Sequence, residues 1–339
     1  MAAAILGGDR RALAQSITLL ESSRPDHHRA ARELLERLRP TLTDKALRIG
    51  VTGPPGVGKS TFIDAMGTYL IEQHDKRVAV LALDPSSGQT GGSILGDKTR
   101  MLQLGQSAQA FIRPSPTRGF LGGVGEATRE TLLLCEAAGY DVIMVETVGV
   151  GQSEYAVSTM VDTCLLLALP GAGDELQGMK RGISEAADAI VVNKADGGNV
   201  AAAELARMQY QSTMRLLPRS EPGWEVPVVT TSAVTASGIA ELWQIIVEHR
   251  QLLEARNGLR ARRAWQHEAW FWQIMRQRVQ ERWMHQTTVS SRLPPLLRSV
   301  RNRTILPNQA ADDVLAWLGF RDASSAPAPP PANQHPPPR

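Results

Sequence analysis

Gly53-Pro54-Pro55-Gly56-Val57-Gly58-Lys59-Ser60 follows the apolar run Ala46-Leu47-Arg48-Ile49-Gly50-Val51 and precedes a helical stretch from Phe62 to Gln73. A strand, a glycine-rich turn ending in Lys-Ser, and a helix together read as a complete phosphate-binding loop. Successive backbone N–H groups of such a loop, with the partial positive end of the helix it opens, cradle anionic phosphate oxygens. Gly56 and Gly58 let the backbone approach a ligand with no Cβ in the way. Lys59 supplies a mobile ammonium to the outer phosphates, and the Ser60 hydroxyl is the expected inner ligand of Mg²⁺. The expected nucleotide-binding loop is Gly53, Pro54, Pro55, Gly56, Val57, Gly58, Lys59, Ser60 and Thr61. A turn that merely contains Lys-Ser is the bland alternative, and the strand and helix on its flanks argue against it.

Outward from this loop, short apolar runs alternate with helical segments: Arg77 to Leu83, Val142 to Val145, Cys164 to Leu169, Ala189 to Val192 and Val226 to Thr231. Such alternation predicts an α/β fold with a doubly wound, mostly parallel sheet, with ligands bound beyond the carboxyl ends of the strands. The run Val191-Val192-Asn193-Lys194-Ala195-Asp196 chooses the base. A carboxylate at Asp196 can accept from both N1–H and the exocyclic amino group of guanine, whereas adenine offers neither donor there. Such a site discriminates on the order of ten-thousand-fold, so GTP is expected over ATP. Asn193 would tie this loop to the phosphate loop, the Lys194 stem would cover the base, and Ser232-Ala233 fits a backbone donor to the guanine carbonyl. At the end of another apolar strand, Glu146 of Glu146-Thr147-Val148-Gly149 suits a group that holds magnesium and senses the γ-phosphate. Asp84, ending a strand, and Asp97, in a glycine-rich stretch, are further metal or water-positioning candidates. Lys59, Asp97 and Glu146 form the expected catalytic set; Ser60, Asp84, Asp97 and Glu146 form the expected metal set. Arg100, Arg113 and Arg118 could supply an arginine finger, and spacing selects none of them.

The 339 residues allow one large α/β domain with helical extensions, taking about 150 residues per domain. With 42% hydrophobic and 21% charged residues the body has globular composition. A net charge of +3 does not by itself point to a nucleic-acid partner. Cys135 and Cys164 lie far apart in apolar runs, which suits buried thiols in a reducing, cytoplasmic setting. Neither a signal peptide nor a membrane span is expected. The expected organisation is an N-terminal helical extension (1–44), a nucleotide domain (45–250), a C-terminal helical arm (251–321) and a Pro-rich tail (322–339) of disordered or polyproline-like character. Trp265, Trp272 and Val279 recur every seven residues, a seam that could meet a neighbouring helix or a second subunit. Arg260, Arg262, Arg263, Arg276, Arg278 and Arg282 read best as a solvated helix face.

The strings Asp84-Pro85-Ser86-Ser87, Gly91 to Met101, Glu146-Thr147-Val148-Gly149-Val150-Gly151-Gln152-Ser153-Glu154 and Gly171-Ala172-Gly173-Asp174-Glu175-Leu176-Gln177-Gly178 resemble the MeaB/ArgK family of P-loop GTPases, over roughly Leu13 to Leu318. The resemblance implies a SIMIBI-type GTPase using GTP and Mg²⁺. Its partner would be an adenosylcobalamin-dependent acyl-CoA mutase, chiefly methylmalonyl-CoA mutase. It further implies a homodimer built on C-terminal helices and a third switch at Pro170 to Arg181 in which Asp174 and Lys180 relay nucleotide state to the mutase; from charge and hydropathy alone, neither a nucleic-acid nor a membrane partner is expected. Three other readings stand beside it: a nickel-type metal-delivery GTPase, a kinase of a transport protein, and a GTP-gated binding module. The first needs soft or imidazole ligand tracts and the second an ATP site; the sequence offers neither.

Overall fold

The computed structural model of the chain describes residues 1–22, 24–84, 101–116, 126–147, 153–171, 186–216, 221, 223–284 and 286–320. Among the described residues seven strands, β1 (Leu47–Thr52), β2 (Val78–Asp84), β3 (Ala110–Pro116), β4 (Val142–Glu146), β5 (Thr163–Ala168), β6 (Ala189–Val192) and β7 (Val228–Thr230), form one sheet in the order β3-β2-β4-β1-β5-β6-β7. Every pairing between these strands is parallel. All residues of β1, β4, β5 and β6 are buried, which explains their unbroken apolar runs: helices cover both faces of the sheet.

Alternation along each strand separates the two cores. Ile143 and Val145 of β4 join one cluster, while Val142 and Met144 join the other. The first face is covered by α1 (Ala2–Leu6), α2 (Arg10–Leu20), α3 (Pro25–Leu38), α6 (Glu126–Ala137) and α7 (Ser153–Ser158). The N-terminal helices therefore contribute to the main core: Leu13, Ile17, Leu34 and Leu38 are buried there, each worth about 1.5–3 kcal/mol. The second face is covered by α4 (Lys59–His74), α5 (Leu102–Gln106) and α9 (Ile239–Ala255). Between β6 and β7 runs α8 (Val200–Met214), whose Ala203, Ala206 and Tyr210 close a third cluster.

Strand β3 is absent from the sequence expectation, because Pro114 and Pro116 interrupt its apolar run. It lies at the sheet edge, where a residue lacking N–H is tolerated. The chain divides into two compact units, Met1–Gln266 and His267–Arg339, with the boundary inside the long helix α10 (Gly258–Met284). The second unit also holds α11 (Thr287–Arg301), with Pro294 and Pro295 in its interior, and α12 (Pro307–Trp317). Trp272 and Val279 are exposed, as are Phe271 and Met275. The Pro-rich tail from 322 lies outside the described residues.

One expectation is corrected at the amino ends of the strands. Arg260, Arg276, Arg278 and Arg282 are exposed, but Arg262 and Arg263 are not a solvated face. Arg263 is 3% exposed and forks onto Asp162, with Nε to Oδ1 at 2.9 Å and Nη2 to Oδ2 at 2.7 Å. It also reaches Asp44 at 3.1 Å and Glu136 at 3.4 Å, and Glu136 is shared with Arg48 at 2.9 Å. Arg262 contacts Asp188 at 3.1 Å. Asp162 and Asp188 immediately precede β5 and β6 and accept the backbone N–H groups of Arg48 and Cys164. Burial alone would raise both carboxyls, and the guanidinium groups outweigh it, holding them below the usual carboxylate range. Spacing could not reveal this, since each arginine finds its acid at least 70 residues away in the chain.

His249 of α9 joins this cluster, with Nδ1 2.9 Å from Thr163 Oγ1 and Nε2 3.4 Å from Asp188 Oδ1. Burial pushes its pKa down, against the opposing pull of Asp188. The unfolded chain takes up a proton at the ordinary value near 6.5, which the folded chain resists. Stability from this group is thus complete above that value and is lost as pH falls through the lowered folded pKa. We expect the melting temperature to drop between about pH 7.5 and about pH 5.5, and His249→Asn to flatten that drop. An unchanged slope in the variant would place the titration elsewhere. Asp162 and Asp188 titrate lower still and do not contribute in this window.

Candidate functional site

The parallel arrangement gathers Thr52, Glu146, Ala168, Val192 and Thr230 at one edge of the sheet, and the loops that leave those ends carry the predicted residues. Leaving β1, Gly53 has φ +142, and a Cβ there would stand 2.4 Å from the Leu167 carbonyl oxygen. Only glycine lets the loop pass so close to β5. Gly56 and Gly58 also have positive φ, and Gly58 is the N-cap of α4 with no side-chain cap. The first N–H groups of α4 are thus left for an anion. Pro54 is half-buried, Pro55 and Gly56 are exposed, and Val57 is buried beneath them. Lys59 is 8% exposed, and its Nζ donates to the carbonyls of Gly53 at 2.8 Å and Pro54 at 3.1 Å, so the ammonium spans its own loop. Thr61 is exposed on the first turn of α4.

The Ser60 hydroxyl donates to Glu146 Oε1 at 2.8 Å. Glu146 pairs in register with Val51 in the ladder, so the sheet itself brings the carboxylate to the phosphate loop. Two hard oxygen donors beside a helix N-terminus fit Mg²⁺. The backbone of Asp84 ends β2 two strands from β1. Asp97, Asp174 and Lys180 lie outside the described residues, as do Arg100 and Arg118. Arg113 pairs with Glu21 and approaches Thr18 of α2 at 3.4 Å.

The loop expected to read the base is held against the phosphate loop. Asn193 donates from Nδ2 to the Val57 carbonyl at 2.9 Å and accepts the Thr231 hydroxyl at 3.2 Å. A Cβ on Gly58 would lie 3.0 Å from Asn193 Nδ2 and 3.8 Å from Lys194 Cε. Lys194 is exposed and has φ +61, a strained backbone that turns its stem over the loop. Asp196 accepts the hydroxyl of Ser232, whose oxygen also accepts the Thr235 N–H at 3.2 Å. Ser232 thus orients the carboxylate through its side chain, a role beyond the backbone donor expected for Ser232-Ala233. The buried pair Thr52 and Thr147 escaped the sequence reading; Thr147 stands in the quoted Glu-Thr-Val-Gly string, and its partner is 95 residues away.

A doubly wound parallel sheet whose first strand feeds a Gly-Lys-Ser loop, with Asn-Lys-x-Asp seated on that loop, defines a P-loop GTPase. Residues 13–288 match the model of the family described as methylmalonyl-CoA mutase-associated GTPase MeaB. The chain is 53% identical over 322 residues to a probable GTPase of Mycobacterium bovis, covering 95% of each chain. It is 43% identical over 320 residues to the mitochondrial methylmalonic aciduria type A homolog of Mus musculus, covering 92% of this chain and 77% of that one. A crystal structure of a LAO/AO transport system kinase superposes with a TM-score of 0.75 at 36% identity, covering 94% of this chain and 96% of that one. The chain belongs to the MeaB family and is a GTPase.

Proposed function

We propose that the chain binds GTP with Mg²⁺, hydrolyses it slowly alone, and couples nucleotide state to loading and protection of the cofactor of an adenosylcobalamin-dependent acyl-CoA mutase, most directly methylmalonyl-CoA mutase. The observation that carries this is the match of residues 13–288 to a mutase-associated GTPase family, joined to a guanine loop hydrogen-bonded to the phosphate loop. In this reading Lys59 binds the outer phosphates and absorbs charge as water attacks the γ-phosphorus in line. Ser60 and Glu146, with Asp84 and Asp97, hold Mg²⁺, which when bound neutralises charge on the phosphate oxygens. Asp97 and Glu146 orient the water. Asp196 reads the base, Asn193 fixes its loop and Lys194 covers the ring. Asp174 and Lys180 signal to the mutase. The exposed apolar residues of α10 support a homodimer made through 251–321, in a cytoplasmic protein. Among the described residues no helix is long and apolar enough to cross a membrane.

The test is GTP hydrolysis with and without an adenosylcobalamin-dependent mutase, with ATP as control. A slow GTP-specific rate that rises with the mutase is expected. Lys180→Ala should keep the intrinsic rate and lose the stimulation; loss of both together would remove Lys180 from the signalling role. GTP hydrolysis indifferent to the mutase would leave the fold and site standing and send the search to another client.

A further inference from the structure

The chain on either side of Glu146 and α7 is tied down by buried polar contacts that the phosphate and guanine motifs do not require. In front, Thr147 donates its hydroxyl to Thr52 Oγ1 at 2.9 Å and its N–H to the Val51 carbonyl at 3.1 Å. Both threonines are buried. Thr52 is the last residue of β1 before Gly53, and Thr147 directly follows Glu146. One hydroxyl pair therefore joins the strand that feeds the phosphate loop to the strand carrying the carboxylate that Ser60 contacts. Behind, Arg129 of α6 donates to the Thr159 carbonyl at 2.8 Å and the Thr159 hydroxyl at 2.7 Å, just past the end of α7. Gln266 of α10 donates to the carbonyls of Val161 at 2.8 Å and Ser158 at 3.4 Å. On its other side α7 lies close to β1, where a Cβ on Gly50 would meet Val161 at 3.0 Å and Val157 at 3.3 Å.

Arg129 is the unusual member. It is 7% exposed, and among the described residues its bonded partners are a neutral carbonyl and a neutral hydroxyl. Burial, with Arg48 nearby, lowers its pKa to about 10. A buried cation with neutral partners is costly, and the carbonyls at a helix C-terminus are the neutral partners that suit it best. A side chain kept at such a cost in this place calls for a positional reason.

We propose that Thr52 and Arg129 are positioning residues for GTP hydrolysis: Thr52, through Thr147, fixes the carboxylate end of β4, and Arg129 fixes the end of α7. Both ties bear on β1, the strand that feeds the phosphate loop: Thr52 ends it, and Val157 of α7 lies against its Gly50. The inference rests on the placement of Glu146 at the reacting phosphate. It assigns these two side chains to turnover rather than to nucleotide affinity.

The test compares Thr52→Val, Thr52→Val with Thr147→Val, Arg129→Met and Arg129→Lys for melting temperature, GTP affinity and single-turnover hydrolysis. The single Thr52→Val change leaves one buried hydroxyl unpartnered and lowers stability; the double change removes both and regains most of it. The double variant should nonetheless turn over on the order of tenfold to a hundredfold more slowly, with GTP affinity within about twofold of the parent. Arg129→Met should behave likewise. Arg129→Lys, which keeps a charge but not the planar fork, should fall between Met and the parent. If Arg129→Met does not fold, Thr159→Val removes the hydroxyl acceptor and takes its place. A double threonine variant with parental turnover overturns the proposal, and so does a turnover loss that tracks melting temperature or GTP affinity across the set. Glu146→Gln in the same assay separates the two levels: parental turnover there overturns the placement of Glu146, whereas a slow Glu146→Gln beside a fast threonine double variant overturns the anchors alone.

Discussion

Lys59→Ala lowers GTP turnover by on the order of a hundredfold to a thousandfold and weakens GTP binding, with little change in melting temperature. The ammonium sits at the N-terminal end of α4 and spans the loop from the Gly53 carbonyl to the Pro54 carbonyl, so it already occupies the mouth of the cradle. Alanine is the best helix former and leaves the first turn of α4 intact. What is lost is a mobile positive charge where negative charge develops, inside a loop whose remaining donors are uncharged N–H groups. Phosphate release and equilibrium binding of a fluorescent GTP analogue measure the two effects. Unchanged affinity and turnover would mean that the phosphates do not sit at this loop.

Asp196→Asn carries the largest expected effect. The carboxylate has one oxygen engaged by the Ser232 hydroxyl, and the asparagine carbonyl can keep that bond, so the loop should hold its shape. The other oxygen becomes an amide nitrogen that presents donors to the N1–H and amino group of guanine. Donor then faces donor, and the preference for GTP over ATP should collapse by on the order of ten-thousand-fold. Xanthosine triphosphate, with a carbonyl in place of the amino group, should bind the variant better than GTP does. Competition among the three triphosphates reads the outcome. A variant that still prefers GTP would show that the base is recognised elsewhere.

The two motifs legible in the sequence are local: the phosphate loop and the guanine loop each write their residues within a few positions, and the flanking apolar runs mark the strands. The sequence also placed Glu146 at a strand end, and the ladder sets it opposite Val51 beside the phosphate loop. What sequence pattern could not supply is long-range pairing. Arg262 and Arg263 look like members of a basic helix face until Asp188 and Asp162 are brought against them. The Thr52–Thr147 pair and the Arg129–Thr159 contact are invisible for the same reason, since threonine and arginine carry no spacing signature. Strand β3 was hidden by its prolines, which read as breakers unless the strand is known to lie at an edge.

The buried arginines of α10 set a lower limit on how short a self-sufficient version of this protein can be. A chain ended at residue 250 would keep β1 to β7 and both sequence motifs, yet it would leave Asp188 without Arg262 and Asp162 without Arg263. His249 beside Asp188 and Arg250 at 3.8 Å from Asp162 would remain, but the close guanidinium forks that offset the burial of these carboxylates would be gone, and the body should be destabilised. The Ser158 and Val161 carbonyls would lose Gln266 as well. The smallest fragment expected to stand alone therefore reaches Gln266, and the opening two turns of the helix that leads into the C-terminal unit belong, in folding terms, to the nucleotide-binding body.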